Sequence, residues 1–71
     1  MRVTTVRPGE ALVHVAARTQ GGSSYHGVTA FPAYLQALVA LNSQPRPLPS
    51  PLQPVVDWTA LLPGQLLALP S

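Results

Sequence analysis

The chain contains no cysteine and no lysine, and only two acidic residues, Glu10 and Asp57, in 71 positions. Without cysteine, the disulfide frame that supports many small domains is excluded. Two acids and two histidines, His14 and His26, are too few to build a structural metal site, so neither a metal nor a cofactor is expected. Charged residues make up 8% of the chain, against about 25% in an ordinary soluble domain. Its four arginines, Arg2, Arg7, Arg18 and Arg46, are scattered and leave a formal net charge of +2. They form no basic stripe interleaved with stacking aromatics, so nucleic acid is not an expected partner. No apolar run approaches the ~18 residues of a membrane span. The first ten residues lack the apolar core of a signal peptide, so the expected site of synthesis is the cytoplasm, with no membrane partner.

What is present is apolar surface and proline, 46% and nine residues respectively. A chain of this length makes one domain, residues 1–71, and buries only about 60% of its unfolded surface. With disulfides and metal excluded, oligomerisation or docking on a larger partner is the remaining way to gain stability. Scarce charge beside plentiful apolar surface points the same way.

Residues 2–6, Arg-Val-Thr-Thr-Val, read as a short strand ended by a Pro8-Gly9 turn. Residues 10–18 read as a helix, with Glu10 at its positive end, Arg18 near its negative end, and Leu12, Val15 and Ala16 on one face. Gly21-Gly22 should stop it. After a polar loop, a second helix is expected from about Pro32 to Leu41. Thr29 is read as its upstream cap, and Asn42 as a left-handed terminator. Its apolar face comprises Tyr34, Leu35, Leu38, Val39 and Leu41. Residues 43–56 carry Pro45, Pro47, Pro49, Pro51 and Pro54 and should form an extended arm. A turn around Asp57 and Trp58, a Pro63-Gly64 turn and a final strand over 65–69 complete the chain. The smallest layered arrangement is an α+β fold in βααβ order. It has a two-stranded antiparallel sheet with both helices on one face.

The order of Gly9-x-x-Leu12 opening a helix, Leu41-Asn42 closing one, and Pro63-Gly64-Gln65-Leu66-Leu67-Ala68-Leu69-Pro70 at the end resembles the LysM family. Gly9, Leu12, Asn42, Pro63, Gly64 and Gln65 are the residues that carry the likeness. Against that family, residues 19–30 and 43–60 look like an inserted loop and an inserted Pro-rich arm. Ala11 also stands where members have a hydroxyl-bearing threonine.

The resemblance implies one of two functions. One is that of the small LysM-like tail proteins of phages and contractile injection machines, the tail protein X type. Such a chain would sit in the virion tail, in several copies around a ring, as a structural link between tube, hub, spike and neighbouring baseplate proteins. The other is binding of N-acetylglucosamine chains of peptidoglycan or chitin, in a groove between the first strand–helix turn and the last helix–strand loop.

Catalysis is not expected. Glu10 and Asp57 each have a structural use at a helix start or turn, which leaves no tuned carboxylate pair. His14 and His26 lack companion ligands. The Gly21-Gly22-Ser23-Ser24 run has no following lysine and is not a phosphate loop. Ser23 and Ser24 lie near His26, but a triad is defined by geometry rather than by such proximity. The candidate partner contacts are Trp58 and Tyr25, together with Pro47, Pro49 and Pro51 of the arm. Trp58 is read either as a docking hot spot or as a lid over the chain's own helices.

Overall fold

A computed structural model describes residues 1–43 and 48–71. Pro47, an expected partner contact, and Arg46 lie outside the described residues. The elements are β1 (Arg2–Thr5), α1 (Leu12–Thr19), α2 (Phe31–Asn42) and β2 (Leu66–Leu69). This is the expected βααβ order. β1 and β2 pair antiparallel with Arg2 opposite Leu69 and Thr4 opposite Leu67.

Because strand side chains alternate faces, Leu67 and Leu69 point to the same side and form the floor of the core. Leu67 packs with Val6, Val15 and Val55, and Leu69 packs with Ala16, Tyr34 and Leu38. Both helices therefore lie on one face of the sheet. Burying a side chain of the size of Leu38 or Leu67 fully is worth about 1.5–3 kcal/mol. The one polar intrusion between the helices is satisfied. The Thr19 hydroxyl donates to Val15 O at 2.8 Å and meets the Tyr34 hydroxyl at 2.7 Å. Thr19 is thus the acceptor for Tyr34, and no buried hydroxyl is wasted.

Four local expectations are corrected. Glu10 stands outside α1, whose N-cap is Ala11. Its carboxylate accepts the Arg7 N–H at 2.9 Å and Arg18 Nε and Nη2 at 2.7 and 2.9 Å. A guanidinium fork offers a carboxylate more than a helix dipole does, so Arg18 folds back to Glu10 instead of facing the end of its helix. The start of α1 is held by His14, whose Nδ1 accepts the Ala11 N–H at 3.0 Å, the place usually taken by Glu or Gln in a capping box. Gly21 and Gly22 do not stop α1 outright, because it tightens into a 3₁₀ turn over Gln20–Gly22 first. Thr29 is not a cap. It lies inside a 3₁₀ turn, Val28–Ala30, that leads directly into α2.

The fourth correction is Asn42. It is helical, no residue other than glycine has positive φ among the described residues, and its side chain is fully buried. Its amide closes on the outer edge of β2. Nδ2 donates to Ala68 O and to Leu38 O at 2.8 Å each, and Oδ1 accepts the Ala68 N–H at 2.8 Å. A strand edge carries unpaired backbone groups that need partners when buried. Asn42 acts there as a third strand one residue long.

Over its described part the arm lies on the domain. The Leu52 N–H donates to Pro49 O at 2.9 Å, and the Val55 N–H to Asn42 O at 2.7 Å. Leu52 and Val55 are buried, and Val55 belongs to the core. Pro49 and Pro51 are exposed.

Candidate functional site

Two turns of the same design lie side by side at one end of the sheet. In Arg7-Pro8-Gly9-Glu10 the Glu10 N–H returns to Arg7 O at 3.1 Å, and in Leu62-Pro63-Gly64-Gln65 the Gln65 N–H returns to Leu62 O at 3.1 Å. Gly9 and Gly64 have φ of +80° and +84°, the value a type II turn demands at its third position and glycine alone meets without strain. Each turn is then locked by its fourth side chain. Glu10 Oε1 takes the Arg7 N–H at 2.9 Å, and Gln65 Oε1 takes the Leu62 N–H at 3.1 Å. The Pro-Gly-Glu and Pro-Gly-Gln tripeptides were the visible signal of this shared lock, and sequence reasoning used them only as separate turns.

The turns are joined through Val6. Its N–H donates to Gln65 O at 2.9 Å and its carbonyl accepts the Gly64 N–H at 2.8 Å. Gly64 and Gln65 together oppose Val6, which is a glycine-type β-bulge that re-aims the chain at a sheet end. Arg18 ties the first turn down. Besides Glu10, it donates to Thr4 Oγ1 at 2.9 Å and Thr5 O at 2.6 Å. Arg18 and Glu10 keep only 23% and 14% of their side-chain surface. The guanidinium holds the Glu10 carboxyl down at about 2, with help from the Arg7 N–H. The Thr59 hydroxyl, and then its N–H, hold Asp57 below the usual range.

Beside the second turn runs an open groove of about 520 Å³. Its walls include Pro51 and Pro54 of the arm, Val56 and Leu62 on the rims, and Gln65 and Leu66 from the start of β2. Val56 is 98% exposed and Leu62 68%, so two branched apolar side chains stand in water at its lips.

The expected site residues are placed as follows. Pro51 lines the groove, whereas Pro49 lies outside its lining. Gly64 and Gln65 line it, with Pro63 in the same turn, while Gly9 shapes the neighbouring turn. Leu12 and Asn42 belong to the core and to the β2 clamp. Trp58 is half-buried, packs against both core clusters, and donates its indole N–H to Ser43 Oγ at 3.0 Å, which is the lid placement. Tyr25 is remote from the groove, edge-on to Tyr34 with ring centroids 5.7 Å apart.

The nucleophile-like hydroxyls are engaged with backbone. Ser23 Oγ donates to Gln20 O at 2.7 Å and Ser24 Oγ to Ser71 O at 2.8 Å. Among the described residues, no three His, Asp or Glu side chains come together as a metal site, and no helix is long and apolar enough to cross a membrane. The groove can hold apolar side chains against its lips, and of its polar lining residues, Gln53, Asp57 and Gln65, the last two each turn a side-chain oxygen onto a backbone N–H. No protein-family model, no curated protein and no solved structure matches the chain.

Proposed function

We propose that this chain is a non-enzymatic docking module on a LysM-like frame, linking neighbouring proteins of a phage tail or related injection machine. The observation that carries the docking reading is the exposure of Val56 and Leu62 at the lips of a proline-walled groove. Large apolar side chains grouped in water mark contact surfaces, and the chain has too little charge to offset them. Rigid proline walls lose little entropy when a partner seats. The tail setting rests on the resemblance of the Pro63-to-Pro70 close and the Leu41-Asn42 helix end to small LysM-like tail proteins.

The N-acetylglucosamine reading has less support in the same groove. No aromatic ring lines it, Gln65 Oε1 is turned onto the Leu62 N–H, and Asp57 Oδ1 onto Thr59. The deciding experiment is a Val56→Asp, Leu62→Asp double variant in particle assembly. Both sites are exposed, so thermal unfolding should change little, while the copy number of the chain per particle should fall severalfold. Normal copy number in the variant would refute the docking reading. Saturable calorimetric binding of N-acetylglucosamine oligomers, lost in the same variant, would replace it with the glycan reading.

A further inference from the structure

At the end of the sheet opposite the two turns, Arg2 has no acid. It shares the core-facing side of the sheet with Leu69, its partner in register. Its Nη2 donates to Pro70 O at 2.8 Å, and its Nε is shut from solvent without a hydrogen-bond partner. The guanidinium sits against Gly22, where any Cβ would collide with Nη1. The only acids of the chain are committed elsewhere, Glu10 to Arg18 and Asp57 to Thr59. Arg2 lines a second pocket of about 560 Å³ with Tyr25, Ala37, Leu41, Leu69 and Pro70. An under-used guanidinium beside apolar walls is costly until an anion joins it.

We propose that this pocket is a second docking site, whose occupant is an acidic-apolar segment of a partner protein. A Glu or Asp carboxylate of that segment takes Nη1 and the second hydrogen of Nη2, the terminal pair of the Arg2 fork, while Nε stays enclosed. A flanking aliphatic side chain lies against Tyr25, Leu41 and Leu69. Charge complementarity selects the occupant, because Arg2 is the charged side chain lining the pocket and the side chains of Glu10 and Asp57 are held elsewhere. The proposal rests on the docking reading above and adds the chemistry of one partner to it.

The test is a two-dimensional NMR titration of the 71-residue chain with a blocked Ala-Leu-Glu-Leu-Ala peptide and its Glu-to-Gln counterpart. The Glu peptide is expected to give saturable shifts at Tyr25, Ala37, Leu41 and Leu69. The Gln peptide should bind about tenfold more weakly, as expected for loss of a charge-assisted hydrogen-bond pair. Arg2→Met should abolish the difference between the two peptides. If that variant unfolds, the peptide pair on the unaltered protein decides alone. Equal affinity of the two peptides, shifts confined to the Val56 and Leu62 end, or equal shifts from acetate alone would each overturn the proposal. The Val56→Asp, Leu62→Asp variant should bind the Glu peptide unchanged, so failure of this site and failure of the groove are read separately.

Discussion

Asn42→Ala should be the most damaging single substitution outside the apolar core. The side chain is fully buried and makes three hydrogen bonds of 2.8 Å, two of them to the backbone of Ala68. Leu38 O keeps its helical partner when the amide is removed. The N–H and carbonyl of Ala68 do not, and Ala68 itself is fully buried. A buried backbone group left unpaired costs about 1–3 kcal/mol, so two of them together with the vacated volume cost about 3–5 kcal/mol. A chain of 71 residues has a total stability of about 4–11 kcal/mol, at about 0.05–0.15 per residue. The variant should therefore melt at least about 12 °C lower or fail to fold. Asn42→Asp should be no better at neutral pH. It retains an acceptor for the Ala68 N–H but turns a charge onto two carbonyl oxygens. Ser43→Ala, which loses only the exposed bond to Trp58, should cost under about 1 kcal/mol. The assays are thermal and urea unfolding by circular dichroism, with amide hydrogen exchange at Ala68. A stability for Asn42→Ala within about 1 kcal/mol of the unaltered chain, or unchanged exchange at Ala68, would refute the clamp.

Acid should weaken the fold through Glu10. Its carboxyl is held at about 2 against an ordinary 4.5, so its contribution is complete above pH 4.5 and is lost as pH falls from 4.5 towards 2. Urea unfolding of Glu10→Gln should lack that component of the acid transition. Gly9→Ala and Gly64→Ala meet open space but force φ of +80° and +84°, and each should cost about 1–2 kcal/mol. Gly64→Asn should cost less, because asparagine tolerates the left-handed region. Gly22→Ala should dislodge the guanidinium of Arg2 with a loss of about 1 kcal/mol. Loss of contacts between Arg2 and Pro70 in NMR would report it.

The element order was legible because it rests on signals that survive tertiary context. β1 is made of β-branched Val and Thr after Arg2, Leu12, Val15 and Ala16 share a helical stripe, and Pro-Gly appears twice where φ must turn positive. The errors came where a side chain had two local uses and a distant partner decided between them. Glu10 and Arg18 each suited a helix end, and eight residues of separation concealed that they suit each other better. Asn42 had the right residue type for a left-handed stop, but its amide matches a strand edge 26 residues away. Leu52 and Val55 were hidden among prolines. A segment rich in proline reads as unable to pack, although proline only denies it regular hydrogen bonding and leaves its leucine and valine free to be buried.

That burial moves the candidate contacts away from the arm as a whole and towards the two ends of the sheet. The arm spends Leu52 and Val55 on the domain and offers only its outer edge, Pro51, Pro54 and Val56, to the groove. The second pocket is at the other end of strands four residues long, about 13 Å away along the sheet. Two partners seated at these ends need not touch each other. Two interfaces of about 800 Å² each would cover about 36% of the 4420 Å² that this chain exposes. Under the docking proposal, a surface of which a third is covered needs little charge to stay soluble, which fits the 8% charged residues. The docking proposal thus gives the low charge and the two pockets a common physical reason.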